Sequence, residues 1–169
     1  CDAAPLDRSA TLVDLNHGAT LTDVAANSNA FDGIVVIDDY TAENPYGQDI
    51  TIENANVIDN GYIGVNLFLG NADREFFINN SLISDNTIGI NASYGQVHVT
   101  DSQIVGNTKT NGYPGELGIG IAVTTHVTVT NSVLSDNLIG AWKPFDGDSL
   151  DLLGNTIQGN LLQGVKNQG

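Results

Sequence analysis

Apolar side chains fall on alternate positions at Ile50/Ile52, Val97/Val99, Val127/Val129 and Leu150/Leu152. This two-residue period predicts short strands with one buried face, leaving Thr51, His98, Thr128 and Asp151 toward solvent. Each alternation opens a nine-residue phrase that recurs five times: Ile52–Asn60, Ile78–Asn86, Val99–Asn107, Val129–Asn137 and Leu152–Asn160. Positions one and six are large aliphatics in every copy, and position nine is always Asn. A Gly followed by an apolar residue comes next each time, at Gly64-Val65, Gly89-Ile90, Gly120-Ile121, Gly140-Ala141 and Gly164-Val165. The pattern predicts a strand, a turn of small polar residues such as Asn80-Ser81, a second short strand, an Asn corner and a third short strand.

One such unit cannot bury its apolar side alone, so self-similarity at this period indicates stacked coils. Three strands in about 22 residues describe a parallel β-helix rising by one strand spacing, about 4.8 Å, per coil. Asn60, Asn86, Asn107, Asn137 and Asn160 are expected to form a structural ladder. Asn tolerates unusual backbone angles at a tight corner, and stacked amides bond one another. A weaker earlier copy runs from Ala19 through Val24 to Asn27 and then Gly33-Ile34. The expected fold is therefore all-β, a single-domain right-handed parallel β-helix of about six coils. Residues 1–18 form an N-terminal segment or first partial coil, and residues 19–169 the repeats.

The phrase pattern resembles the right-handed parallel β-helix superfamily, which includes pectate-lyase-like enzymes, alginate-epimerase modules and surface repeat proteins. The resemblance covers residues 50–169 and specifies architecture; the fold hosts enzymes, adhesins and stalks alike. The signatures of the related enzymes are largely missing. Five basic residues are scattered along the chain, whereas pectate-lyase-like elimination needs a clustered base and cations. The Tyr-Gly-Phe-Asp-Pro-His stretch of alginate epimerases has its counterpart in Tyr46-Gly47-Gln48-Asp49-Ile50, without the Pro-His. Of the three histidines, His98 alternates outward, His126 precedes a strand and His17 lies in the N-terminal segment, and each reads as a surface or capping residue.

Twenty acidic residues against five basic ones give a formal charge of −15, which disfavours nucleic acid and anionic membrane surfaces as partners. No apolar run approaches the ~18 residues of a membrane span. The chain has no Met and a single cysteine, Cys1. Its opening Cys1-Asp2-Ala3-Ala4-Pro5 resembles the start of a mature bacterial lipoprotein, which makes Cys1 the expected lipid attachment point; the alternative is a processing boundary. Both suit an exported bacterial or phage protein, at the cell surface or beyond it.

Insertions between coils are where chemistry is expected. The corner after the Gly-apolar strand gathers Tyr40, Tyr46, Phe68, Tyr94, Trp142 and Phe145 beside several carboxylates. Rings stack on sugar faces and acids accept from hydroxyls, so Tyr40, Tyr46, Tyr94, Trp142 and Phe145 form a candidate glycan strip for a polysaccharide partner. The competing reading is that the Tyr and Phe rings simply pack the loops onto the barrel. Asp146 and Asp148 are the candidate ligands for Ca²⁺, the one cofactor these carboxylates suggest. The first functional expectation is a non-enzymatic extracellular solenoid serving adhesion, structure or filament assembly. The alternative is a carbohydrate-active module, a lyase or epimerase relative or a glycan-binding piece. Leu161–Gly169 brings no capping element of its own, which predicts one of two outcomes: further chain has been removed, or copies self-associate head to tail, with Lys166 as the one basic residue of the final coil.

Overall fold

The structure, a computed structural model, describes residues 11–14, 19–37, 49–68, 74–110 and 118–168. β1 (Thr11–Asp14), β2 (Ala19–Thr22) and β3 (Ile34–Ile37) open the fold. β4 (Ile50–Glu53), β5 (Asn56–Ile58) and β6 (Ile63–Phe68) follow, then β7 (Glu75–Asn79), β8 (Leu82–Ser84) and the long β9 (Ile88–Thr100). β10 (Gln103–Val105), β11 (Ile119–Thr130), β12 (Val133–Ser135) and β13 (Ile139–Lys143) lead to β14 (Ser149–Leu153), β15 (Thr156–Gln158) and β16 (Gln163–Asn167).

Every named pairing is parallel, and each strand meets its counterpart from a neighbouring coil. One face of the solenoid runs β1-β3-β6-β9-β11-β13-β16 and another β15-β12-β10-β8-β5. The third stacks β2, β4 and β7 onto the second halves of β9 and β11, with β14 beyond. β9 and β11 each run through the corner between two faces, so no loop separates the faces there. The result is an all-β, right-handed parallel β-helix. His126 lies inside β11, whereas the sequence placed it ahead of a strand.

Alternation turns into apolar columns along the axis. Ile50, Phe76, Val97 and Val127 form one, Ile52, Ile78, Val99 and Val129 the next, and Val57, Ile83, Ile104 and Leu134 a third, all buried. On the remaining face Ile34, Val65, Ile90, Ile121 and Ala141 complete the core. The glycine before this column has a steric cause. A Cβ on Gly64 would lie 2.7 Å from Gly89 O and 2.9 Å from Asn86 Nδ2, so only hydrogen lets the coils close to strand spacing.

The strained corners lie elsewhere than expected. The ladder Asn residues are not the left-handed ones. Positive φ falls at phrase position three (Asn54 54°, Asn80 48°, Asp101 49°, Asn131 50°, Gly154 69°). It recurs at position eight (Asp59 62°, Asp85 58°, Gly106 66°, Asp136 57°, Gly159 65°). Asn, Asp and Gly tolerate that region at least cost, and their placement one residue ahead aims the ladder side chain inward.

Candidate functional site

The Asn column forms a continuous ladder. Asn60 donates from its backbone N and its Nδ2 to Asn86 Oδ1, both at 3.0 Å. Asn86 does the same to Asn107 Oδ1 (3.0 and 3.1 Å), Asn107 to Asn137 (3.0 and 2.9 Å), and Asn137 to Asn160 (3.1 and 3.1 Å). The second Nδ2 hydrogen turns back to a core carbonyl, as from Asn137 to Ile104 O. The first four rungs are fully buried, and Asn160 is half-buried. The earlier copy supplies Asn29 to this ladder, bonding Asn60 Oδ1 from N and Nδ2 at 3.1 and 2.8 Å; Asn27 instead accepts from Ile58 N. The register Leu21↔Ile52 fixes this, two residues later than the sequence alignment put it.

Two further columns escaped the sequence reading. Ser81, Ser102 and Ser132, which the sequence places in turns of small polar residues, are buried. Each Oγ accepts a backbone N–H from the preceding coil at 3.1 Å and donates to the carbonyl two residues back at 2.8 Å. Asn155 continues this second ladder by accepting from Ser132 N at 2.8 Å. Outside the core, Ile63, Ile88, Ile119 and Ile139 form a second apolar cluster with Ala122, against which Tyr62 and Trp142 pack. The signal was available, since the residue before the repeat Gly is Ile in four coils.

Of the candidate glycan strip, Tyr40 and Tyr46 lie outside the described residues, as does Cys1, and for Tyr94 only the backbone within β9 is described. Trp142 is half-buried on the outer isoleucine cluster; its Nε1 donates to Gln168 Oε1 at 3.3 Å and Lys166 Nζ lies 5.3 Å from the ring centroid. Phe145 is 61% exposed, at the turn closed by Lys143 Nζ donating to Phe145 O at 2.8 Å. Asp146 is exposed beside it and Asp148 half-buried. Among the described residues no three His, Cys, Asp or Glu side chains gather as a metal-holding group, so this turn offers Ca²⁺ two carboxylates. On the outward face of β7 and β9, Phe77 and His98 stack with centroids 5.0 Å apart, and His126 Nδ1 lies 2.7 Å from Ser149 Oγ one strand further on.

Lys109 Nζ donates to Asp59 Oδ1 at 2.6 Å and to Asn60 O at 3.3 Å, tying the long corner after β10 to the coil two below. The Lys109 hydrogen bond and charge, with Ser28 Oγ assisting, hold the Asp59 carboxyl below the usual carboxylate range. A depressed carboxylate pKa contributes stability above its unfolded value and loses it as pH falls through the folded one. Lys109→Met should return Asp59 toward the ordinary range in a carboxyl-carbon NMR titration; an unchanged Asp59 would show that the contact is not populated. Because both groups are solvent-accessible, the melting temperature at neutral pH should barely move.

A polar groove of about 270 Å³ runs along the corner between β4/β7/β9 and β5/β8/β10. Ala55 and Ser81 are its buried lining; Asn56, Leu82 and Gln103, neighbours across β5, β8 and β10, line one side, and Asn54, Asn80 and Asp101 form the other wall. Left-handed φ at Asn54, Asn80 and Asp101 turns that wall outward.

No helix among the described residues is long and apolar enough to cross a membrane. No curated protein and no solved structure gives a match to this chain. Residues 9–169 match the family model described as the right-handed beta helix region, in agreement with the coils and ladders above, and the chain belongs to that family.

Proposed function

We propose that this chain is a non-enzymatic structural solenoid displayed outside a bacterial cell, joined to other copies coil upon coil. The observation that carries this reading is the ladder itself. The repeated Asn, Ser and Gly residues serve coil-to-coil contact, so the most regular part of the sequence serves axial continuity. The face of β14, β15 and β16 that no described strand pairs supports the joining step. There Leu152 and Ile157 are only half-buried, and Leu161, Leu162 and Val165 are exposed at 69, 59 and 43%. A coil from a second copy is the occupant we infer, because it would continue the apolar columns and strand edges already stacked within the chain. Val165→Asp should abolish concentration-dependent assembly seen by light scattering and electron microscopy; a wild-type chain that stays monomeric at high concentration would sink this step.

Lipid attachment at Cys1 belongs to the same proposal, and an unmodified thiol in the intact mass of the native protein would remove it. The enzymatic question is decided by turnover assays on neutral and acidic polysaccharides. Product release that disappears in His98→Ala would overturn the structural reading.

The amide-walled groove favours one second reading, a glycan-binding module. Asn54, Asn56, Asn80, Asp101 and Gln103 make no side-chain hydrogen bond with another described residue, and carboxamides suit neutral sugar hydroxyls better than uronates at this net charge. Binding without turnover on a glycan array, lost in Asn80→Ala, would favour it.

A further inference from the structure

We infer that Asn60–Gly61 is a latent deamidation site that the ladder holds shut, so that opening the first coils commits the chain to a form that cannot refold. Among the five repeat-phrase ladder positions only Asn60 is followed by Gly; the others precede Thr87, Thr108, Leu138 and Leu161. In an open Asn-Gly segment nothing shields the backbone nitrogen of the glycine. That nitrogen attacks the Asn side-chain Cγ, the Cγ–Nδ2 bond breaks, and Nδ2 leaves as ammonia carrying the proton lost from the glycine N–H. Water then opens the resulting succinimide at either carbonyl, leaving an aspartyl or isoaspartyl residue.

Packing explains why so vulnerable a pair stands at a rung. A Cβ at Gly61 would collide with Ala30 O in the coil below, so a side chain here would force the coils apart. Packing also explains the protection. The attacking nitrogen is engaged, since Gly61 N–H donates to Asn29 O at 2.8 Å. The electrophile is fixed as well. Asn60 is fully buried, its Oδ1 accepts from Asn29 N and Nδ2, and its Nδ2 donates to Ala26 O and Asn86 Oδ1, both at 3.0 Å. Neither partner can move to bonding distance while these five hydrogen bonds persist. Once reacted, the position has lost the amide donor. A carboxylate there would face Ala26 O and Asn86 Oδ1, two acceptors, in a fully buried site. An isoaspartyl link would also lengthen the backbone between Asp59 and Gly61 and throw the rung out of register.

The test uses the unmodified 169-residue protein, incubated at mildly alkaline pH either native or in concentrated urea. Peptide mass mapping at Asn60 follows the reaction, and circular dichroism after urea removal gives the refolded fraction. Asn111–Gly112, the same dipeptide, serves as the reference for unfolded-chain chemistry. In urea both sites should react alike. The native chain should react at Asn60 at least on the order of a hundredfold more slowly, because only open molecules are competent. The refolded fraction should fall in step with modification at Asn60. Comparable rates at Asn60 in native protein and urea would overturn the protection. Full refolding of chains modified at Asn60 would overturn the commitment.

Discussion

Gly89→Ala should lower the melting temperature by roughly 10 °C, the equivalent of about 3 kcal/mol in a domain of this size. The effect is steric, since Gly89 has no left-handed backbone to lose. The added methyl would stand 2.6 Å from Gly120 O, 2.9 Å from Ile104 Cγ2 and 3.0 Å from Asn107 Nδ2. The first contact is backbone of the next coil, the second a buried core side chain and the third a ladder rung. None can yield without breaking either the parallel pairing of β9 with β11 or the ladder. Gly147→Ala is the matched control, because nothing lies within 4 Å of a Cβ there and the turn faces solvent. Thermal melts followed by circular dichroism should separate the two clearly. Equal melting temperatures would mean that the coils breathe enough to admit a methyl, and the stacked glycines would lose their steric explanation.

The glycines and the asparagines were legible from sequence for different reasons. Alternation at Ile50/Ile52 or Val127/Val129 reports directly on which face is buried, because a strand has only two. The Asn column was visible because the same residue is needed at the same height in each coil. Its backbone was misread, since a corner needs both a residue that tolerates positive φ and a residue that bonds inward. The structure divides these tasks between neighbours, Asp59 and Asn60 or Asp136 and Asn137. Ser81, Ser102 and Ser132 looked like turn residues because a hydroxyl suits solvent as well as a ladder. Only the stacking of three coils shows that each must satisfy a neighbour's N–H. The earliest copy was misaligned for a related reason. Asn27 and Asn29 are equally good corner residues locally, and only the pairing of β2 with β4 distinguishes them.

The candidate site was less legible than the fold. Aromatic clustering located a corner but not what the rings touch there. Trp142 serves an outer apolar cluster whose four isoleucines are spread across the chain from residue 63 to residue 139. The amide groove was invisible for the same reason. Asn54, Asn80 and Asp101 become one wall only when the coils are stacked, and no local motif marks them.

Asn107→Ala should destabilise the fold by about 3–5 kcal/mol, and Asn107→Asp should destabilise it in a pH-dependent way. Asn107 is fully buried at the middle of the ladder. Its Oδ1 accepts from Asn86 N at 3.0 Å and Asn86 Nδ2 at 3.1 Å; its Nδ2 donates to Asn137 Oδ1 at 2.9 Å and to Ile83 O and Val105 O at 3.3 Å. Alanine leaves the Asn86 N–H without an acceptor in a fully buried site and opens a small void, and it introduces no titratable group. Aspartate keeps the acceptor for Asn86 but turns a carboxylate toward three oxygen acceptors. Burial and those acceptors favour the protonated acid, so the introduced carboxyl should have a folded pKa above its unfolded value. A raised folded pKa contributes stability that is complete below the unfolded pKa and lost as pH rises through the folded one. The melting temperature of Asn107→Asp relative to wild type should therefore fall from mild acid to neutral pH, while that of Asn107→Ala keeps a constant offset. A constant offset in both variants would mean that the carboxylate finds water or a donor at this position. The inner ladder would then be hydrated, and its amides would not be what holds successive coils in register.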